Sequence, residues 1–324
     1  MTAIVVFTAI FLSCGQSGKE KPKIGVAMRS FDDPSSVSIR RAIETEALDK
    51  ADLAVIDGQG QQAAQNLQID SFFERKLGAL AIAPVDGSAM AAIIAKAKDQ
   101  ITPIVFFDRR PPDEAMRSWD KLFFVGTRES DAGYAEGQML ADYWKANPAA
   151  DRNKDGTMQY AWIGPASASR AEGFAKALNS AGIKNESIAS IDPTVKAEGD
   201  SFAYSIRKLS DKVEAVICTD ESSALGTIDA LKAVGFFKGK KSIPVVGSGE
   251  GNLSPAISEV LSSGTLLGFA LADAENQGKA VFALSYALAR GRDATRTGWL
   301  VTDAKYVWVP YQKLSKESFA APKK

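Results

Sequence analysis

The sequence predicts an α/β fold of two doubly wound parallel-sheet lobes. Three observations carry this. From Lys23 onward, short β-rich runs alternate with amphipathic helical stretches. The rhythm runs to about residue 127 and starts afresh near residue 158. At 324 residues the chain is too long for one ordinary core and suits two domains.

The elements follow in order. "KIGVAM" (23–28) is apolar and bounded, so it reads as a buried strand. Residues 35–51 carry Val37, Ala42, Ile43 and Ala47 on one helical stripe. "DLAVID" (52–57) is the next strand, and helices over 61–76 and 87–100 enclose "GALAIAP" (78–84). "TPIVFFD" (102–108) and "KLFFVGT" (121–127) complete the first set. The second set has strands at 158–164, 187–192, 213–219, 243–249 and 265–271, with helices between them. Pro244 stands at a strand start, where its missing N–H is tolerated.

Composition narrows the function. Lys plus Arg and Asp plus Glu are equal at 39 each, so charge gives no pull toward nucleic acid or a membrane surface. Histidine is absent, which removes Ser/His/Asp and Cys/His catalysis and any His-ligated zinc. No nucleophile–base pair is visible, so an enzyme is not expected. "GSGEG" (247–251) lacks the lysine of a phosphate loop and reads as a turn.

Ligands of open α/β sheets bind beyond the carboxyl ends of the strands. The residues there are Arg29, Phe31, Asp33, Asp108 and Arg109 in the first lobe. In the second they are Trp162, Arg170, Asp220, Glu221, Glu250 and Asn252. Carboxylates and guanidinium groups suit a polyol, accepting and donating hydroxyl hydrogen bonds. Capping a helix or facing water is the alternative for any single one of them. Cys218 ends a strand and reads as a small buried apolar residue.

"AIVVFTAIFLSCG" is too short to span a bilayer and reads as a signal-peptide core. It resembles a bacterial lipoprotein signal, with cleavage before Cys14 and lipid on its sulfur. An ordinary secretory signal, or a buried strand with a stray cysteine, is the alternative. Residues 15–22 then form a polar tether.

"DRNKDGTMQ" (151–159) opens like an EF-hand loop, with Asp151, Asn153 and Asp155 at alternate positions and then Gly156. The twelfth position, where an EF-hand places glutamate, is Trp162. An Asx-rich turn without metal is the alternative.

Six stretches taken together are distinctive: "PIVFFDRRP", "WDKLFFVGTRESDAGYAEGQMLADYW", "RNKDGTMQY", "VEAVICTDESSALGTIDALKAVG", "IPVVG" and "ADAENQGKAVFAL". From about Lys23 to Tyr311 the chain resembles the periplasmic glucose/galactose-binding proteins, the sugar-capturing components of bacterial ABC importers. The resemblance implies that Asp151, Asn153, Asp155, the Thr157 carbonyl, Gln159 and the distant Glu214 hold a structural calcium ion. It implies Asp33, Asp108, Arg170 and Asp220 as sugar contacts, with asparagine usual at positions 108 and 220. The stacking aromatic of the first lobe falls at Ser35, and the sandwiching tryptophan has no counterpart in "DPTVKAEGDSF". The histidine and aspartate that usually precede Arg170 give way to "GPASAS", and the last hinge asparagine falls at Ala272. A small insertion lies within "SGEGN". Trp162, ending a strand toward the cleft, is a candidate replacement stacking face, with a core aromatic as the alternative. Phe31 is the candidate on the other lobe, Glu250 and Asn252 replace polar partners, and Arg109 lines the mouth.

The same resemblance implies a type I periplasmic binding protein whose lobes are joined by three crossovers, near residues 125–128, 248–253 and 271–275. Residues 23–126 plus 273–294 form the N-terminal lobe and 127–272 plus 295–313 the C-terminal lobe. The expected function is hinge closure on D-glucose or D-galactose and delivery to an ABC permease by a lipid-anchored periplasmic monomer. Binding of a different polar solute, or sensing for a chemotaxis or kinase partner, is the alternative. A transcription regulator of this architecture needs an N-terminal helix-turn-helix, which residues 1–22 do not supply.

Overall fold

The computed structural model describes residues 20–192, 202–238 and 241–320. Cys14 and most of the tether lie outside the described residues, as does nearly all of "DPTVKAEGDSF".

The first lobe runs β1 (Lys23–Met28), α1 (Pro34–Ala47), β2 (Asp52–Asp57), α2 (Gln62–Glu74) and β3 (Ala79–Ile82). It continues with α3 (Ala91–Asp99), β4 (Ile104–Phe107), α4 (Asp113–Arg117) and β5 (Leu122–Gly126). The second lobe begins with α5 (Glu129–Ala146), β6 (Thr157–Ile163), α6 (Ala168–Ser180), β7 (Lys184–Ile191) and α7 (Phe202–Ser210). It goes on through β8 (Ala215–Cys218), α8 (Glu221–Ala233), β9 (Val245–Gly249), α9 (Pro255–Ser262) and β10 (Gly268–Ala272). The chain closes with α10 (Ala274–Ala289), β11 (Tyr306–Trp308), β12 (Tyr311–Ser315) and α11 (Lys316–Ala320).

Two six-stranded sheets result, ordered β11-β5-β4-β3-β1-β2 and β12-β10-β9-β8-β6-β7. All pairings are parallel except β12 against β10. Buried parallel strands explain why β3, β4, β5 and β8 are apolar along their whole length. Each sheet carries a core on both faces. In the first lobe Ile43, Phe107 and Val281 lie on one side and Phe72, Phe106 and Ile69 on the other. In the second, Phe236 and Phe269 oppose Phe174 and Trp162.

Caps start the helices where the pattern requires. Asp33 accepts the Ser36 amide at 2.8 Å, and Pro34 occupies the first turn of α1. Asp220 and Ser223 form a capping box on α8. Ser254 with Pro255 starts α9, and Asp273 starts α10.

The chain passes between the lobes three times. The passages fall at β5 to α5, at β10 to α10, and between β11 and β12. Two boundaries expected from the sequence are corrected. Residues 248–253 are not a crossover, because β9 and β10 pair side by side in one sheet. Residues 295–309 belong with the first lobe, because Tyr306, Val307 and Trp308 pair with Phe124, Val125 and Gly126 of β5. The return to the second lobe comes only at Tyr311, which pairs with Ala272. The passages support one another: the Val309 amide donates to the Gly126 carbonyl at 2.8 Å, and the Tyr311 hydroxyl lies 3.4 Å from Thr127 Oγ1.

Helices α5 and α6 approach closely because small residues line the contact. A Cβ on Gly133 would collide with the Arg170 carbonyl, and one on Gly173 with the Ser130 carbonyl. A Cβ on Gly137 would stand 2.7 Å from the Phe174 carbonyl. Gly133→Ala is therefore expected to destabilise the protein by about 2 kcal/mol or more, since overpacking forces backbone to move. Urea denaturation followed by circular dichroism measures this, and an unchanged midpoint would refute the close-approach account.

Candidate functional site

Charged side chains from both lobes meet beyond the carboxyl ends of the strands, as the fold dictates. Arg29 follows β1 directly and Asp108 follows β4. Arg29 Nε donates to Asp108 Oδ2 at 3.1 Å, and Nη2 donates to Asp33 Oδ2 at 3.1 Å. One guanidinium thus bridges the two carboxylates. Asp33 Oδ2 is already the cap of α1, so its position is fixed by the helix. Asp108 has φ 62°, a left-handed conformation that Asn and Asp adopt more readily than most residues. Burial pushes the Asp108 carboxyl up; Arg29 pulls it back, and Asp33 adds to the rise. Arg29 Nη1 has no partner among the described residues.

The other first-lobe candidates sit nearby. Phe31 is partly buried, its ring covered by the Arg40 guanidinium 4.2 Å from the centroid. Arg109 is exposed and donates from Nη1 to the Val85 carbonyl at 2.6 Å.

In the second lobe Asp220 Oδ1 accepts the Ser222 hydroxyl at 2.6 Å and the Ser223 amide at 2.8 Å. Burial opposes its ionisation, but these hydrogen bonds outweigh burial and hold the carboxyl below its ordinary value. Glu250 follows β9 and has no hydrogen bond or ion pair among the described residues. Burial pushes its carboxyl up, and the negative charges of Asp108, Asp33 and Glu129 add to this, with Arg29 opposing.

Three expectations are corrected. Arg170 is buried and spends its N–H groups on protein. It donates to Glu136 at 3.2 and 2.5 Å, to Glu129 at 3.4 Å, to the Thr219 carbonyl at 3.2 Å and to the Ser248 hydroxyl. A guanidinium has five N–H groups, so none is left over for a ligand. Trp162 is a core aromatic, 5.3 Å from the Phe174 ring and 6.3 Å from the Tyr160 ring. Asn252 lies against α1 and α10, in a groove with Ser38, Arg41, Glu275 and Lys279, and not among the cleft carboxylates. Cys218 is buried as expected, which pushes its thiol up to about 12.

Sequence reasoning put Arg29 among the strand-end candidates, but the resemblance assigned it no ligand contact. The signal was there, since it immediately follows the first strand. Glu136 was missed altogether. Its one clue is its place between Gly133 and Gly137 on the helix, and small residues there reveal close packing without revealing a buried charge.

The loop at 151–159 is tied to Glu214. Glu214 is buried and accepts the Arg152 amide at 2.7 Å and the Gln159 amide at 3.1 Å. Asn153 Nδ2 donates to Asp155 Oδ2 at 3.0 Å and Gln159 Oε1 at 2.8 Å. Asp151 Oδ2 accepts the Gly156 amide at 3.0 Å, while Asp151 Oδ1 is buried with no partner. Among the described residues no three His, Cys, Asp or Glu side chains gather as a ready metal site. The donor chemistry still fits a hard cation, being all oxygen, and the orphaned Asp151 oxygen lacks a positive partner.

A carboxyl raised on folding contributes stability that is complete below its unfolded value and is lost as pH rises through its raised one. Glu250→Gln is therefore expected to raise the thermal midpoint more at about pH 8 than at about pH 4, where wild-type Glu250 is itself protonated. Thermal melts at the two pH values test this, and an equal effect at both would remove Glu250 from the acidic cluster.

A family model described as the periplasmic binding protein domain matches residues 24–293. The D-galactose/methyl-galactoside binding periplasmic protein of Haemophilus influenzae is 33% identical over 325 residues, covering 97% of this chain and 96% of that protein. A D-ribose/D-allose-binding protein of Pseudomonas aeruginosa is 25% identical over 275 residues, covering 83% of this chain and 82% of that protein. A solved glucose-galactose binding protein of Geobacillus stearothermophilus shares the fold at TM-score 0.64 and 16% identity, covering 94% of this chain and 100% of that one. With the family model spanning residues 24–293 and a relative 33% identical along nearly the whole chain, the chain belongs to the periplasmic binding protein domain family.

Proposed function

We propose that this solute-binding protein, which is not an enzyme, captures D-galactose or D-glucose between its lobes and delivers it to an ABC importer. The observation that carries the reading is the pair Asp33 and Asp108 at the carboxyl ends of β1 and β4, organised by Arg29 and faced by Glu250. The identity to the galactoside-binding relative, spread along nearly the whole chain, supports it. Carboxylates accept sugar hydroxyl protons, and Arg29 Nη1 is available to donate. Hinge bending at the three passages closes the lobes, and an inner-membrane permease reads the closed surface. The protein works as a periplasmic monomer, held at the membrane by lipid on Cys14.

A second reading has its own support. Arg170 and Trp162 are withdrawn into the core, so neither offers its guanidinium or its ring face to a ligand. That favours another small polar solute bound through charge and hydrogen bonds. Isothermal titration with D-galactose and D-glucose decides between the two. Low-micromolar binding is expected, with Asp33→Ala weakening it by about 10-fold or more, since a hydrogen bond to a charged group is worth about 1.5–3 kcal/mol. No heat at millimolar sugar would reject the galactose and glucose assignment.

Calcium belongs to the same proposal, as a structural ion. Asp151, Asn153, Asp155, the Thr157 carbonyl, Gln159 and Glu214 would hold it. Bound there, it supplies positive charge that ties the loop to the start of β8. Calcium at about 100 times its dissociation constant is expected to stabilise the protein by about 2.7 kcal/mol over a chelator-treated sample. Glu214→Gln should abolish most of that gain. Equal stability with calcium and with chelator would refute the site.

A further inference from the structure

The loop after β9 leaves its own lobe and lies on the other. Gly251 is buried with φ 75°, and a Cβ on it would stand 2.9 Å from the Ser35 amide nitrogen and 3.0 Å from the Pro34 carbonyl carbon. Pro34 and Ser35 are the first turn of α1, in the N-terminal lobe. The residue before, Glu250, stands in the electrostatic field of Arg29, Asp33 and Asp108 of that lobe and of Glu129 in its own. The residue after, Asn252, lines a groove of about 350 Å³ with Ser38, Arg41 and Thr45 of α1 and Glu275 and Lys279 of α10. Three consecutive residues of the C-terminal lobe therefore touch or face the N-terminal one. Only glycine fits at the centre, both for its backbone angle and for the space.

We propose that residues 250–252 are an interlobe latch, seated through Gly251 on the first turn of α1, which holds the lobes together. The seat is backbone against backbone, so it needs no particular ligand. It is not itself one of the three passages, so releasing it leaves their chain path intact. Glu250 rides on the latch, and its charge opposes seating because it approaches Asp33 and Asp108. A ligand bridging the carboxylates of both lobes would relieve that opposition. The latch rests on the hinge-closure reading above and is independent of which solute is bound.

Small-angle X-ray scattering of the full mature protein without ligand tests this. Gly251→Val puts a branched side chain where the backbone admits none. Deletion of residues 250–251 shortens the loop instead and serves if the valine variant folds poorly, with circular dichroism as the check on folding. Both are expected to shift the radius of gyration upward from wild type and to contract more than wild type when D-galactose is added. Identical radii in wild type and both folded variants would overturn the latch. A radius difference that persists with no contraction on D-galactose would support the latch and count against the galactose assignment. Contraction of equal size in all three proteins would overturn the latch and leave that assignment standing.

Discussion

The buried pair of Arg170 and Glu136 is the constraint on which the second lobe depends. Glu136 is fully buried on α5, Arg170 nearly so on α6, and the guanidinium also reaches the end of β8 and the middle of β9. Four elements meet at one charge pair. Burying it is costly, and burial drives the Glu136 carboxyl up to about 7 despite Arg170 and Ser248 beside it. The pair joins the glycine contacts of Gly133, Gly137 and Gly173 in tying α5 to α6. Since α5 is the first element past the β5 passage, the pair also fixes how the second lobe departs from the hinge.

The first lobe is organised on a smaller scale by the same device. Arg29 binds two carboxylates from different strand ends and is itself partly open to solvent. The two lobes use arginine differently. In one it is sealed into structure, and in the other it stays at the surface of the cleft with a donor in hand.

Much of the fold was legible. Strands β1 and β2 appear where apolar runs bounded by polar residues place them, and β3 to β6 and β8 to β10 deviate only at their ends. β11 and β12 were not legible. "YVW" is three residues long, and "YQKLS" is exposed or half-buried along its length, so neither shows a period. Missing β11 displaced the last passage between the lobes. The cleft was half legible. Asp33 and Asp108 were identified from strand ends and prove to be brought together. Arg170 and Trp162 were assigned to the ligand by position, and the sequence holds no sign that Glu136 and Phe174 claim them first. Ser35 and the extra residues of "SGEGN" read as separate departures from the resemblance. They are neighbours in space, a relation that more than 200 residues of intervening chain conceal.

The left-handed backbone of Asp108 restricts what evolution can try at that position. Most side chains are disfavoured at a φ of 62°, and β-branched ones most of all. Asparagine, aspartate and glycine carry the least cost there, although this chain places Gln59, Lys76 and Ile101 in the same region elsewhere. An exchange of aspartate for asparagine would swap a charge for a neutral amide beside Arg29 without asking the backbone to move. The conformation thus favours a short polar side chain, and here that side chain spends its charge on Arg29.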